Sequence, residues 1–405
     1  MTEKKNHARE LREGGFGRRD FLAGAAAAGL TVVSPQLVAG SEANSKITLA
    51  LIGCGGRGSW IAGLFAKHGG YQFVATADYF PDRATKTAEA LKVPASRAYS
   101  GLSGYKRALD AKPDAIVIES SPYFHPEQAA AAIDAGCHVY CAKPIAVDVP
   151  GCLSFAASGR KASENKRCLI VDFQTRANPF YREAIRRVHA GDIGPVVSGE
   201  ADYYASAPCI YDGELTDPEA RLRYWLLDRS LSGDIITEQN IHALDVATWA
   251  IDKAPVQAYG ACSKKGRHDH GNCNDHFAVI FTFPGDVLVS FASKQYGTGI
   301  DDIGCRMFGP KGALETHYGG LVYIRGQKSY KGGRDDAQGM ITNIADFHAA
   351  ILKGDYANRT VAPSVRSNLT TILGRTAAYK NAVVTWDEMI RAAEKVDYDL
   401  TGLKA

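Results

Sequence analysis

The sequence predicts an α/β protein built in two halves, a doubly wound parallel sheet followed by an α+β half with a mostly antiparallel sheet. Three observations predict this. Residues 46–65 run from an apolar stretch through a cluster of glycines into a helical pattern. Strand-like and helix-like stretches then alternate as far as Asp172. Beyond residue 195, strand-like runs follow one another across short turns such as Pro284-Gly285-Asp286.

The first turn carries the most information. Ile47, Leu49, Leu51 and Ile52 favour a strand; Gly53, Gly55, Gly56 and Gly58 break it; Trp60, Ile61, Leu64 and Phe65 recur at helical spacing. This is the context of a dinucleotide-binding Rossmann unit. Gly53 permits the tight turn, Gly55 lets a pyrophosphate approach, and Gly58 lets the helix pack on the strand. Cys54, Gly56 and Arg57 complete the cofactor-binding turn, whose helix offers free N–H groups to the phosphates. A strand over 71–77 ends at Asp78, near the spacing at which a carboxylate binds the adenosine ribose hydroxyls. Such a carboxylate repels a 2′-phosphate and favours NAD over NADP, although Arg83 is close by. Asp78 is alternatively a cap for the helix opening at Pro81-Asp82.

A helix over 82–91, a mixed connection over 101–109 and a strand over 114–119 follow. Open parallel sheets bind ligands outside the carboxyl ends of their strands, so Ser121, Pro122 and His125 face the cofactor. After a helix over 126–135, the strand 138–141 delivers Lys143-Pro144 to the same edge. The proline disfavours the helical region for Lys143 and so helps aim it. A lysine there bonds the nicotinamide ribose or a substrate oxygen, and its charge stabilises a developing alkoxide. A helix over 149–165 and a strand over 168–172 complete the sheet. The second half reads as a helix over 179–190 and strands over 196–204, 256–263, 276–283, 287–294, 302–308 and 313–317. Helices over 241–251, 341–352 and 365–380 are expected to cover one face. The boundaries are 1–43 for a leader, 46–168 for the cofactor domain and 169–405 for a substrate and oligomerisation domain.

A second cluster lies in residues 232–245. Glu238 and His242 are four apart and share a face if helical. Imidazole titrates near neutrality and suits removal of an alcohol proton as hydride leaves the same carbon. The carboxylate orients it, and Asn240 between them is a candidate for substrate contact.

The 405 residues carry a net charge of +3, and beyond residue 40 the balance is 41 basic to 40 acidic. Such a neutral body gives no reason to expect nucleic acid and suits a small neutral ligand. The first forty residues read as an address: Lys4, Lys5, Arg9 and Arg12, then Arg18-Arg19-Asp20-Phe21-Leu22, then the apolar run 23–33. That run is too short to anchor in a bilayer, and with the arginine pair it resembles a twin-arginine export signal. The expected location is the periplasm or beyond, with no stable membrane span after processing. Nine cysteines leave at least one unpaired; Cys262 and Cys273 are a possible loop disulfide. No spacing suggests a metal site.

From Lys46 to Ala393 the chain resembles the glucose–fructose oxidoreductase / inositol dehydrogenase / MocA family. The resemblance rests on the 53–58 turn, Asp78, Ser121-Pro122-x-x-His125, Lys143-Pro144, Glu238-x-x-x-His242 and the closing Thr385-Trp386-Asp387-Glu388-Met389. It implies a Rossmann domain, a C-terminal domain with a large open antiparallel sheet, and a lysine–histidine pair moving protons beside the nicotinamide. Gln174 and Arg176 fall in a segment that contacts cofactor and substrate in the family. The insert 211–231 looks like a loop of exported sugar-active members, and Tyr181, Trp225, Asp275, His276 and Tyr296 are candidates to line a sugar site. Three departures stand out: Ala142 replaces the usual Glu before Lys-Pro, Glu238 replaces the usual Asp, and Gln174 and Arg176 replace part of that segment, which varies among members.

The expected function is hydride transfer between NAD, or less favourably NADP, and a hydroxyl of a sugar, polyol or glycoside. An alternative is a redox-neutral glycosidase or lyase that oxidises transiently with a retained cofactor. A third is a non-catalytic sugar-binding protein that keeps NAD. An apolar outer sheet face would pair copies as a dimer or tetramer.

Overall fold

In the computed structural model, residues 46–209, 211, 213–334 and 338–405 are described. The expected twin-arginine leader lies outside them. A parallel sheet forms from β1 (Ile47–Ile52), β2 (Tyr71–Asp78), β3 (Ala98–Ser100), β4 (Ala115–Ile118), β5 (His138–Ala142) and β6 (Leu169–Asp172). Its order is β3-β2-β1-β4-β5-β6, so the chain reverses direction of winding between β1 and β4. Ligands of such sheets bind outside that switch point. Leu49, Leu51, Ile116, Val117 and Val139 are fully buried, as strands covered on both faces require.

The segment expected as a mixed connection over 101–109 is more regular, with β3 before it and the helix Gly104–Asp110 within it. Three residues are too few for an alternation to register, and Gly101 and Gly104 break up the helical pattern.

The second sheet comprises β7 (Ser198–Ala205), β8 (Gln257–Ser263), β9 (His276–Phe283), β10 (Val287–Gln295), β11 (Asp302–Gly309), β12 (Gly312–His317), β13 (Val322–Gly326), β14 (Tyr330–Lys331) and β15 (Val384–Thr385). Its order is β14-β13-β12-β11-β7-β10-β9-β8-β15, and only β7 and β10 run parallel. Side chains alternate: Ala201, Tyr203, Val279, Phe281, Val289, Phe291 and Met307 point inward, whereas Tyr259, Ile280 and Leu288 are half exposed. The inward set packs with residues of the helices Ile241–Ile251 and Val361–Lys380 in one core.

The third expected cover helix goes elsewhere. Gln338–Lys353 places Ile344 and Phe347 against Phe65, Tyr71 and Tyr140 of the parallel half, with Tyr71 donating to the Ile344 carbonyl at 2.9 Å. The chain therefore returns to brace the parallel half. Thr385 starts the helix Trp386–Ala392 through a capping box with Glu388. All nine cysteines are free thiols: Cys273 is wholly buried beside Ser232, and the Cys262–Cys273 disulfide does not form. Among the described residues no helix is long and apolar enough to cross a membrane.

Candidate active site

The glycine turn is built as a cradle. Gly53 takes φ +90°, and a Cβ there would stand 2.4 Å from the Glu119 carbonyl carbon. A Cβ on Gly58 would meet the Gly53 oxygen at 1.9 Å, so strand and helix touch through these two positions. Around Gly55 and Gly56 the space is open, apart from Arg83 Nη1 at 3.9 Å from a Cβ on Gly55. The helix Gly56–His68 has no side chain capping its first N–H groups. They are left to a ligand or water, and an anion is favoured there.

Asp78 closes the turn from β2. Its Oδ2 accepts the Cys54 N–H at 2.7 Å and its Oδ1 the Phe80 N–H at 2.9 Å. Burial raises its pKa, and the two N–H bonds oppose that rise. The carboxylate lines the same pocket as Gly53, Gly55 and Ser121. A turn left open at Gly55 and Gly56, uncapped N–H groups and a carboxylate at the end of β2 fit a dinucleotide.

Arg57 leaves this turn for the carboxyl ends of β4 and β6. Its Nε lies 3.1 Å from Glu119 Oε2 and its Nη2 2.6 Å from Asp172 Oδ2. Asp172 also accepts from Asn343 at 2.8 Å and from Gln174 at 3.2 Å, and Tyr318 donates to Gln174 Oε1 at 3.0 Å. The Glu119 carboxyl is pushed up to about 7 because burial outweighs the opposing Arg57 charge, and Asp172 adds to the rise.

Lys143 occupies the end of β5. Its ammonium donates to the Glu238 main-chain oxygen at 2.7 Å and to Glu238 Oε1 at 3.0 Å, with both side chains buried. Glu238 and His242 do not share one helix as their spacing suggests. The helix Ile235–Glu238 stops, Gln239 and Asn240 interrupt it, and a new helix begins at Ile241. Asp234, held at a positive φ of +66°, starts the first helix by accepting the Ile235 N–H at 2.7 Å.

His242 is buried against Tyr318, with ring centroids 4.8 Å apart, and its Nδ1 has no hydrogen-bond partner. Burial first, then the charges of Lys143 and Arg57, hold its pKa well below the usual imidazole value. Asn240 is fully buried with both amide atoms unbonded, and Glu238 Oε2 is also free. Buried polar atoms without partners mark a place where a polar ligand fits.

Other candidates lie apart. Both His125 nitrogens reach carbonyls, of Pro144 and Ser120, at 2.8 Å, and the ring is 1% exposed. It ties the loop after β4 to Lys143-Pro144, while Pro122 is buried beside it and Ser121 Oγ has no partner. Arg176 is held by Asp245 at 2.9 Å and stacks over Trp249. Tyr181 is 2% exposed within the core. Asp275 accepts three N–H groups from residues 265–267 and pairs with His276, against which Tyr296 packs. Trp225 stands at the Asp78 end with Phe80.

Several polar residues at the site escape the sequence reading. Glu119 and Asp172 follow the same strand-end logic that finds Lys143. Tyr318, Tyr203, which senses the Glu238 charge, and Gln295, which bonds Gln239, carry no local signal.

Comparison with known proteins follows the two sheets. The oxidoreductase family model for the GFO/IDH/MocA NAD-binding Rossmann fold matches residues 47–173, and that family's C-terminal domain model matches 181–315. An inositol 2-dehydrogenase of Saccharopolyspora erythraea is 26% identical over 248 residues, 60% of this chain and 65% of that protein. One from Serratia proteamaculans is 28% identical over 260 residues, 63% and 69% of the two chains. Among solved structures, the aldose-aldose oxidoreductase of Caulobacter crescentus has a TM-score of 0.69 at 21% identity, over 84% of this chain and 100% of that one. A levoglucosan dehydrogenase complexed with NADH and levoglucosan has a TM-score of 0.70 at 17% identity, over 84% and 99%. At these identities the structural likeness is one of fold.

Proposed function

The chain belongs to the GFO/IDH/MocA oxidoreductases, and from that premise we propose that it moves a hydride between NAD and a hydroxyl-bearing carbon of a sugar or polyol. The observation that carries this reading is the convergence of Lys143, Glu238 and the unbonded Nδ1 of His242 beside the carboxyl edge of the parallel sheet. The relatives named as inositol 2-dehydrogenases support a polyhydroxylated substrate.

The bound nicotinamide supplies the hydride acceptor; the chain supplies the proton chemistry. His242 is neutral at neutral pH, so its ring takes the hydroxyl proton as the carbon is oxidised. The Lys143 ammonium steadies the oxygen while negative charge develops, and Glu238 holds that ammonium in place. Asn240 offers its free amide to a further hydroxyl. Gly53 and Gly58 hold strand and helix together so that the open turn at Gly55 and Gly56 receives the pyrophosphate, and Asp78 takes the adenosine ribose, which favours NAD over NADP. The arginine pair at Arg18-Arg19 supports export by the twin-arginine route, and the parallel and antiparallel halves serve as cofactor and substrate domains.

The experiment is to denature purified protein, identify the released ligand by mass, and add sugars and polyols to the loaded protein while following nicotinamide absorbance. Released NAD and its reduction support the reading. Protein that holds no nicotinamide and takes none up contradicts it, and glycoside cleavage without net NADH supports the redox-neutral alternative.

A further inference from the structure

The adenosine end of the pocket is walled by a segment far from the Rossmann half in sequence. The pocket runs from Gly55 past Asp78 and Phe80, and Leu222 and Trp225 line it with them. Both come from the stretch 217–231, which is fastened to the rim of β2. Tyr79 donates to Glu219 at 2.8 Å. The Arg223 guanidinium lies 3.9 Å from the Phe80 ring centre and pairs with Asp82 at 3.4 Å.

The last residues of the chain fasten the same segment from outside. The Tyr398 hydroxyl donates to the Pro218 carbonyl at 3.1 Å, and Arg221 stacks over the Tyr398 ring at 4.9 Å. Lys404 spans the gap: its N–H donates to the Tyr79 hydroxyl at 3.1 Å, and its carbonyl accepts from Leu102 at 3.0 Å. Phe80, Leu222, Leu231 and Tyr398 form a buried apolar cluster, with Trp225 packed against it.

Resting on the reading of this pocket as a dinucleotide site, we propose that residues 217–231 and the C-terminal tail form a clamp over the adenosine half of the cofactor, with Leu222 and Trp225 as its contact residues. Trp225 thereby belongs to the nucleotide rather than to the sugar. An aromatic ring and a leucine closing on a flat base bury apolar surface on a face that otherwise meets water. Release then requires Leu222 and Trp225 to withdraw, which breaks the Tyr398–Pro218 and Tyr79–Glu219 bonds. The clamp makes the cofactor a resident part of the enzyme.

The test is the rate at which isotopically labelled NAD leaves the full-length loaded protein during a chase with excess unlabelled NAD. Wild type is compared with Trp225→Ala, which removes the wall, and Tyr398→Ala, which leaves the pocket and loosens the latch. Each variant is expected to release NAD at least about tenfold faster, with unchanged absorbance of the bound cofactor. Tyr398→Phe keeps the ring and loses only one hydrogen bond, so it serves if the alanine variants fail to fold, with an expected gain of about threefold. Equal release from wild type and the folded variants overturns the clamp while leaving the dinucleotide reading intact. Wild type that takes up no NAD overturns both.

Discussion

The Lys143 ammonium stands 3.0 Å from Glu238 Oε1 and 2.7 Å from the Glu238 main-chain oxygen, joining the end of β5 to the helical break at Gln239-Asn240. One bond reads the side chain and the other the backbone, so the lysine fixes both the carboxylate and the path of the chain towards His242. This contact couples the two halves of the protein at the proposed site of chemistry.

Lys143→Met leaves the buried Glu238 carboxylate without its cation, and breaking a buried pair from one side costs about 3–5 kcal/mol. The variant should melt well below wild type, and Lys143→Met combined with Glu238→Gln should recover part of the loss. Thermal unfolding of the single and double variants measures this coupling. Strictly additive losses would show that the pair is not interacting.

The depressed pKa of His242 sets a pH profile. The ring stays neutral below the usual imidazole value because burial, Lys143 and Arg57 all oppose its protonation. The kcat/KM for alcohol oxidation should therefore hold its plateau through pH ~6.5 and fall only below it. Residual turnover in Lys143→Met should fall at a higher pH than in wild type, since one opposing charge is gone. An acid limb at the same pH in both proteins would argue against this electrostatic contact.

Glu119 makes stability pH-dependent in the opposite sense from an ordinary paired carboxylate. Its folded pKa, near 7, lies above the reference 4.5, so the native state binds more protons between those values. Its stabilising contribution is full below about pH 4.5 and is lost as pH rises through about 7. Glu119→Gln should flatten this part of the melting-temperature profile. Parallel profiles for variant and wild type would contradict it.

Asp78→Ser should relax the choice between cofactors. Asp78 and Arg83 line the same pocket, and on the proposed reading this carboxylate is the group that would repel a 2′-phosphate. Removing one negative charge beside an arginine should raise NADP affinity relative to NAD by at least about tenfold, read as a ratio of Kd values.

The parallel half was legible because glycine placement and apolar runs are local signals. Gly53, Gly58 and the strand-end positions of Asp78 and Lys143 follow from chain order alone. The short strands β13, β14 and β15 at the two ends of the second sheet were not, since pairing with a neighbour, rather than their own pattern, makes them strands. The break at Gln239-Asn240 hides behind a helical spacing that runs across it. Tyr318 reaches Gln174 across 144 positions, and Arg57 reaches Asp172 across 115. Such contacts depend on how the sheets dock, which no window of sequence contains. Trp225 shows the same dependence: nothing local in the insert 211–231 signals that the fold packs it beside Phe80.

The most direct measurement is a single turnover of NAD-loaded protein with a polyol or aldose that wild type oxidises, followed by reduced-nicotinamide absorbance in wild type and His242→Ala. The account predicts that His242→Ala keeps its NAD and forms reduced cofactor at least ~100-fold more slowly. Equal rates in the two proteins would contradict it and place the proton transfer elsewhere.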